Sequence, residues 1–305
     1  MKLRIEKLVK SYRGKRALDG ISFSVPEGEV FGFIGPNGAG KTTTMSILAG
    51  LIGFDSGVCE IDGRAARSGS GIGYLPEQPV FSDYLTGREY LSMLAATMRM
   101  PRASEQTGRL LERVSLSDAA GRRIAGYSRG MRQRLGLACA LLGGPDIVVL
   151  DEPSSALDPE GRRTVVDLIR ELKAEGRTVL LSTHILSDIE RICDRIALID
   201  SGRILLAGAV DELLGEGFTG QTDLLFSRPL VSAELEALRT LPCVASVRPE
   251  NGGAACSVIV EGSDLAGGRM AVVREIADLS LPLVSLTPRR MSLEELFLRK
   301  VGRHA

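Results

Sequence analysis

A glycine-rich stretch in the first part of the chain has the residues needed to hold a phosphate group. It reads Gly35-Pro36-Asn37-Gly38-Ala39-Gly40-Lys41-Thr42-Thr43 and fits the pattern G-x-x-x-x-G-K-[ST] without a mismatch. The glycines let backbone N–H groups turn toward phosphate oxygens, and a helix that follows directs the positive end of its dipole at the same anion. Lys41 would then reach the β- and γ-phosphates of a nucleotide, and the Thr42 hydroxyl would bind Mg²⁺. The alternative is a glycine-rich turn that only precedes a helix.

Apolar runs indicate the sheet that must position this stretch. Val30 to Ile34 favours a strand, and Met45 to Ala49 can continue as a helix after the glycine-rich turn. A second run, Asp146 to Leu150, is followed by Asp151 and Glu152. Such a run is typical of a strand buried on both faces of a parallel sheet, and ligands of open α/β sheets bind at the carboxyl ends of the strands. The sequence therefore predicts an α/β fold with the two acids beside the phosphate loop.

Helical periodicity dominates from about residue 79 to residue 142, between the predicted strands. This block predicts a helical subdomain inserted into the α/β domain. Strands are also predicted near the start of the chain, at Leu3 to Val9 and Ile21 to Val25. The loop between them carries Tyr12 among basic residues, and such a tyrosine either stacks on an adenine ring or is an ordinary surface tyrosine.

A second domain is predicted at the C-terminal end. Glycines at positions 215, 217 and 220 mark a boundary near residues 214 to 222, so the two domains are predicted at 1–215 and 222–305. From residue 222 the pattern is β-α-β-β-α-β, which is the order of a small α+β, ferredoxin-like domain. A last helix is predicted over Ser292 to Val301, because Ser292 and Glu295 have capping-box spacing.

Composition limits the classes of protein that the chain can belong to. Of its 305 residues, 44% are hydrophobic and 25% charged, which is typical of a globular protein. Lys+Arg and Asp+Glu both number 38, so nothing in the charge indicates a nucleic-acid partner. The N-terminal residues lack the apolar region of a signal peptide, and five widely spaced cysteines favour reduced core thiols in a cytosolic protein. No charge-free run reaches the ~18 to 20 residues of a membrane span, so work at a membrane would need another chain.

Four segments, taken together and in this order, carry a family resemblance. The first is the glycine-rich loop, and the second is Tyr127-Ser128-Arg129-Gly130-Met131-Arg132-Gln133-Arg134-Leu135. The third is Asp151-Glu152-Pro153 with Ser155-Ala156-Leu157-Asp158, and the fourth is His184 after the next apolar strand. Over about residues 3 to 215 the chain resembles the ATP-binding subunits of ABC transporters. The resemblance implies a P-loop NTPase fold of the ABC ATPase type, with ATP and Mg²⁺ as cofactors.

The resemblance also implies roles for the residues at the predicted sheet edge. Residues 35 to 43 correspond to the Walker A loop, and Asp151 corresponds to the acid that holds Mg²⁺, usually through water. Glu152 corresponds to the general base that orients or deprotonates the attacking water. His184 corresponds to the histidine that contacts the γ-phosphate. Outside this set of motifs, Glu152 would be interpreted as a surface acid and His184 as a structural histidine.

Other implied roles involve a second ATP-binding chain. Ser128 and Gly130 match the signature motif, which in this family binds the γ-phosphate of the nucleotide held by the other subunit. Asp158 matches the D-loop residue that acts across the dimer, and Tyr12 becomes the adenine-stacking candidate. Because one chain has one Walker A loop and one signature, the resemblance implies a homodimer or a heterodimer with a related subunit.

The chain departs from the family pattern at two places. The consensus signature is L-S-G-G-Q. In this chain Arg129 replaces its first glycine and Met131 replaces its glutamine. Both changes are familiar from the drug- and polysaccharide-exporter branch of the ABC-2 type. The expected Q-loop glutamine falls on Glu77, and Gln78 follows it. Either residue is a candidate for contact with Mg²⁺ and with the membrane partner.

The resemblance implies the ATP-hydrolysing subunit of an exporter, held at the cytoplasmic face of the membrane by a separate transmembrane permease that docks near residues 77 to 100. The C-terminal stretch from Ser292 to Leu298 is similar to the ends of drug-exporter ATPases, and we hypothesise that the C-terminal domain adds dimer contact. A soluble ABC-type ATPase acting on ribosomes or DNA is one alternative, but two cassettes or a long coiled-coil insertion would be expected. A regulatory module that holds ATP without hydrolysis is another, and Glu152 argues against it.

Overall fold

The computed structural model describes residues 2–66, 71–155, 157–215, 218–251, 254–261, 264–290 and 293–295. The chain divides between Val210 and Asp211 into two compact units. Of the helix predicted over Ser292 to Val301, only residues 293 to 295 are described, and they are helical. The rest of that prediction lies outside the described residues.

The first unit contains two sheets and a set of helices. Its strands are β1 (Leu3–Tyr12), β2 (Lys15–Val25), β3 (Val30–Ile34), β4 (Ser56–Ile61), β5 (Arg64–Ala65), β6 (Ile72–Leu75), β7 (Ile147–Asp151), β8 (Thr178–Thr183), β9 (Arg195–Asp200) and β10 (Arg203–Ala209). Its helices are α1 (Lys41–Leu48), α2 (Gly87–Thr97), α3 (Ala103–Arg113), α4 (Arg129–Leu141), α5 (Pro159–Ala174) and α6 (Leu186–Ile192). Helix α7 (Val210–Gly215) follows β10 and begins at the last residue before the division into two units.

The larger sheet has the strand order β10-β9-β3-β8-β7-β6. Strands β6 to β9 and β3 pair in parallel, and β10 joins the edge antiparallel to β9. All residues of β3, β7 and β8 are buried, which explains why their sequences are largely apolar. In the parallel register Asp151 lies opposite Ser182, and Ile34 lies opposite Thr183. The ends of these three central strands therefore lie at one edge of the sheet.

The second sheet of this unit, β2-β1-β4-β5, is antiparallel and packs on the larger one through a shared apolar core. Phe23 of β2 contacts the rings of Phe31 and Phe33 of β3, with ring centroids 5.3 and 5.2 Å apart. The prediction that Tyr12 lies in a loop is wrong, because it is the last residue of β1 and pairs with Lys15. The turn has only two residues, Arg13 and Gly14, and both have positive φ angles, as a tight hairpin turn requires.

Helices α2, α3 and α4 pack against one another and lie between β6 and β7 in the sequence, as the helical periodicity predicted. Helix α2 starts with a capping box, in which Thr86 Oγ1 accepts the Glu89 N–H and Glu89 Oε2 accepts the Thr86 N–H. Within the described part of the chain, none of the helices is both long enough and apolar enough to span a bilayer.

The second unit has the elements β11 (Phe218–Phe226), α8 (Ser232–Arg239), β12 (Val244–Glu250), β13 (Ala255–Val260), α9 (Leu265–Asp278) and β14 (Leu283–Arg290). Its sheet is antiparallel with the order β12-β13-β11-β14, and this is the ferredoxin-like arrangement. Buried side chains of the sheet, such as Leu224 and Val258, form its core with Val272 and Ile276 of α9. Strand β11 begins several residues earlier than the sequence pattern indicates.

Candidate active site

The glycine-rich loop joins β3 to α1 at the sheet edge where the central strands end. A Cβ atom at Gly35 would overlap the carbonyl oxygen of Ile199, so the loop can approach β9 only with glycine at this position. Gly40 has a φ angle of 112°, which side chains rarely adopt, and it is the N-cap of α1. No side chain among the described residues caps α1 at Gly40, so the first N–H groups of the helix are available to an anion.

Lys41 is buried and its side chain folds back over the loop. Its Nζ donates to the carbonyl oxygens of Gly35 at 2.7 Å and of Pro36 at 3.2 Å, and it lies 3.5 Å from Oε1 of Glu152. The ammonium group therefore lies between the loop and the end of β7. Beside it is a cavity of about 290 Å³, whose lining residues come from the loop, the start of α1 and the sheet edge. They are Ala17, Asn37, Gly38, Gly40, Lys41, Thr42, Thr43, Glu77, Glu152, Ser155 and His184.

The two acids after β7 are connected to the next strand, β8. Asp151 is completely buried, and its Oδ1 accepts a hydrogen bond from the Ser182 hydroxyl at 2.6 Å. The backbone N–H of Glu152 donates to the same hydroxyl oxygen at 2.9 Å. The Glu152 side chain contacts His184, and its Oε2 lies 2.9 Å from Nδ1 of the ring. The structure thus brings together Asp151, Glu152, His184 and Lys41, as the sequence predicted.

The donor atoms at this edge fit Mg²⁺. Asp151 Oδ2 is buried and has no hydrogen-bond partner among the described residues, which leaves one anionic oxygen for another ligand. The hydroxyl-bearing Thr42 lines the cavity. Carboxylate and hydroxyl oxygens, together with phosphate oxygens, are the ligands that Mg²⁺ prefers. These residues therefore suit a magnesium ion bound together with a nucleotide.

The structure distinguishes the two Q-loop candidates. Glu77 lines the cavity beside Lys41, and it also lines a neighbouring cavity of about 410 Å³. Gln78 lines this second cavity together with Arg129 and Gln133 of α4. Of the two candidates, Glu77 lines the phosphate cavity, and both line the cavity beside α4.

The predicted signature residues lie outside the set of described residues that line the phosphate cavity. Ser128 is the N-cap of α4, and its Oγ accepts the Met131 N–H at 3.2 Å. Ser128 and Arg129 are exposed. Asp158 similarly caps α5, with its Oδ1 accepting the Gly161 N–H at 2.8 Å. Ser128 and Asp158 are both exposed and therefore accessible to another molecule.

Tyr12 lies at the end of the β1–β2 hairpin and is 46% exposed. The Lys10 Nζ is 5.2 Å from the centre of the ring, close enough for a cation–π contact. The ring is thus accessible for stacking.

The sequence interpretation missed polar residues behind the site. Ser182 is one of them, although a hydroxyl within a fully buried strand is a signal for a buried polar contact. Tyr74 of β6 was also missed. Burial raises the pKa of Tyr74, its hydroxyl is hydrogen-bonded to Ser46 of α1, and the nearby charge of Asp151 raises the pKa further. Both residues are recognisable only when the neighbouring strands are known.

Of the five cysteines predicted as reduced core thiols, three are buried and two, Cys139 and Cys243, are half-buried. Each of the five cysteines is a free thiol. Burial raises the pKa of Cys139 to about 12 and that of Cys59 to about 11, so these thiols stay protonated at neutral pH.

The phosphate loop, the paired acids and the parallel sheet define a P-loop nucleoside triphosphatase. A family model described as ABC transporter matches residues 18–155. The uncharacterized ABC transporter ATP-binding protein YxlF of Bacillus subtilis is 39% identical over 98% of this chain and 99% of its own length. The daunorubicin/doxorubicin resistance ATP-binding protein DrrA of Streptomyces peucetius is 34% identical over 98% of this chain and 92% of its own. A solved ATP-binding subunit of an ABC transporter superposes with a TM-score of 0.65 and 32% identity, covering 71% of this chain and 93% of its own.

The chain belongs to the ABC transporter family, as an ATP-binding subunit with ATPase activity. The predicted family and fold class are therefore confirmed.

Proposed function

We propose that this chain hydrolyses MgATP in a dimer and so drives a separate transmembrane subunit of an exporter. The observation that supports hydrolysis best is the environment of Glu152. Its carboxylate lies at the phosphate cavity between the Lys41 ammonium at 3.5 Å and the His184 ring at 2.9 Å. A carboxylate held in this way beside a γ-phosphate can accept a proton from an attacking water.

Several residues at the cavity have a part in this reaction. Lys41 and the N–H groups at the start of α1 bind the β- and γ-phosphates, and their positive charge stabilises the charge that develops on the transferred group. Glu152 orients the water and takes its proton, and His184 holds Glu152 and contacts the γ-phosphate. Thr42 and Asp151 would hold Mg²⁺, with Glu77 at the same cavity. When bound, the ion would neutralise phosphate charge.

The dimer is proposed because one chain gives only part of the site. Ser128 and Gly130 are not among the described residues around the phosphate cavity, and yet the capped start of α4 offers an anion site at the surface. Two chains arranged head to tail would place each α4 against the nucleotide of the other chain. Asp158, exposed at the start of α5, would lie at the same interface.

Mixing two inactive variants tests the shared site. Lys41→Met removes the phosphate-binding lysine, and Gly130→Asp puts a negative charge where the partner's γ-phosphate would lie. We expect each variant alone to be inactive, and the mixture to regain ATP hydrolysis, because a mixed dimer contains one site with an intact loop and an intact signature. The measurement is phosphate release from equimolar mixtures, with each variant alone at twice the concentration as the control. A mixture no more active than the separate variants would contradict the shared site.

We also propose that the transporter is an exporter and that this chain docks on its membrane subunit. The signature departures Arg129 and Met131 and the similarity to a daunorubicin/doxorubicin resistance protein support an exporter. Val80 and Tyr84, in the segment expected to meet the permease, are 87% and 84% exposed, which suits docking of an apolar partner surface. The permease would hold the chain at the cytoplasmic face of the membrane.

The C-terminal unit is proposed to add contact between the two chains. We expect removal of residues 218 to 305 to weaken ATP-dependent dimerisation in the Glu152→Gln background. The cut at residue 218 removes the whole of β11, whereas a cut at 222 would leave half of that strand. Analytical ultracentrifugation with MgATP measures the dimer dissociation constant, and equal thermal unfolding of the first unit in both forms is the control. An unchanged dissociation constant would rule out this role.

A further inference from the structure

Ser182 carries a buried hydroxyl at the centre of the sheet edge. It belongs to β8, lies between Asp151 of β7 and Phe33 of β3 in the register, and has no solvent exposure. A hydroxyl in such a place must be hydrogen-bonded to be tolerated. The Ser182 hydroxyl therefore needs hydrogen-bonding partners inside the protein.

The hydroxyl uses both of its hydrogen-bonding functions on the two acids of the site. It donates to Asp151 Oδ1 at 2.6 Å, which is the length of a strong hydrogen bond to a carboxylate. It accepts the N–H of Glu152 at 2.9 Å. One side chain thus contacts two consecutive residues, and it does so from the strand that leads to His184.

The first bond decides which oxygen of Asp151 is available. Because Ser182 occupies Oδ1, Oδ2 is left as the buried oxygen without a hydrogen-bond partner in the described part of the chain. Without the hydroxyl, both oxygens would lack a donor and the carboxylate could rotate. The serine therefore fixes the orientation in which Asp151 presents a free oxygen.

The second bond holds the backbone of Glu152. Its φ angle is 50°, a conformation that costs a non-glycine residue about 1 kcal/mol or more. The Ser182 bond to its N–H restrains it on one side, and Gln133 Nε2 lies 3.5 Å from its carbonyl oxygen on the other. This backbone conformation determines the direction of the Glu152 side chain, which reaches Lys41 and His184.

We propose that Ser182 is a positioning residue, which orients the metal-binding acid and the general base through one hydroxyl. The inference rests on the proposed function. It adds a residue whose role is to keep the free oxygen of Asp151 and the carboxylate of Glu152 in fixed relation to each other.

Ser182→Ala tests this role, because it removes the hydroxyl and little else. We expect kcat to fall about 10- to 100-fold, as is typical when a residue that orients a metal ligand is lost. The KM for MgATP should rise only by the part of nucleotide binding that depends on Mg²⁺, since the phosphate loop is unchanged. In isothermal titration calorimetry, the gain in ATP affinity on adding Mg²⁺ should shrink, while the affinity in EDTA should stay the same.

Thr178→Val is the matched control, since it deletes another fully buried hydroxyl from the same strand. Thr178 Oγ1 accepts the Gly28 N–H at 2.9 Å at the end of β8 remote from the site. We expect this variant to be less stable in urea unfolding. Its kcat, and the increase in its ATP affinity on adding Mg²⁺, should equal those of the wild type. If Ser182→Ala fails to fold, Ser182→Cys keeps the volume with a weaker donor, and kcat should still fall.

Wild-type kcat and Mg²⁺ dependence in folded Ser182→Ala or Ser182→Cys would overturn the proposal. So would an equal loss of kcat in Thr178→Val at an equal loss of stability. Failure of the wild-type chain to hydrolyse ATP would instead contradict the proposed function. In that case, the calorimetric comparison with and without Mg²⁺ would still decide the role of Ser182.

Discussion

The Glu152→Gln variant is expected to bind MgATP and to hydrolyse it about 10²- to 10⁴-fold more slowly than the wild type. The amide has the size of the carboxylate and can keep the contact with His184 at 2.9 Å, but it cannot accept a proton from water. Removing the negative charge beside Lys41 and the phosphates also removes a repulsion between the base and the nucleotide. Binding should therefore be retained or strengthened while the chemical step fails.

The same variant should accumulate as a dimer in the presence of MgATP. If hydrolysis reopens the dimer, a chain that binds ATP without turnover stays closed, and size-exclusion chromatography would show the shift. The matched control is Glu171→Gln, which changes an exposed carboxylate paired with Arg113 at the surface. It should hydrolyse ATP and dimerise like the wild type.

Two results would contradict this interpretation of Glu152. Near wild-type hydrolysis by the variant would show that another group is the base. If neither the wild type nor the variant hydrolyses ATP or dimerises, even with a membrane partner, the chain would be a regulatory ATP-binding module. The altered signature around Arg129 would then be the first candidate for the cause of the missing hydrolysis and dimerisation.

Much of the first unit could be predicted from sequence because its signals are local. The run from Ile147 to Leu150 is apolar because β7 is covered on both faces, and the glycines at 35 and 40 are required by close approach and by φ. Each of these constraints acts within a few residues and leaves a pattern in the sequence. The side chains that they position, such as Lys41 and Glu152, could therefore be named in advance.

The contacts that were missed depend on residues far apart in the chain. Ser182 lies 31 positions from Asp151 in the sequence and donates to it across neighbouring strands, and the same hydroxyl accepts the N–H of Glu152, whose φ angle is positive. Neither follows from propensity, since glutamate rarely adopts a positive φ. The positions of Glu77 and Gln78 also needed the structure, because of these two adjacent residues Glu77 lines the phosphate cavity while both line the cavity beside α4.

Lys41→Met should have the second large effect, and it should act on both binding and stability. Losing charge-assisted hydrogen bonds to phosphate, worth about 1.5–3 kcal/mol, lowers ATP affinity by about 10- to 100-fold. Methionine keeps the unbranched shape, so the loop should still fold. Calorimetry with MgATP measures the loss, and Lys173→Met, which breaks a surface pair with Asp194, is the control with little expected effect.

The stability effect follows from the position of Lys41 without nucleotide. Its ammonium lies 3.5 Å from Oε1 of the buried Glu152, so Lys41→Met removes the positive charge beside a buried carboxylate oxygen. We expect a loss of about 1–3 kcal/mol in the free energy of unfolding, measured in urea without nucleotide. Adding Glu152→Gln should recover part of it, because a neutral amide needs no counter-charge. Strictly additive changes in the free energy of unfolding across this double-mutant cycle would show that the two side chains are not coupled. The ion pair would then not stabilise the protein without nucleotide.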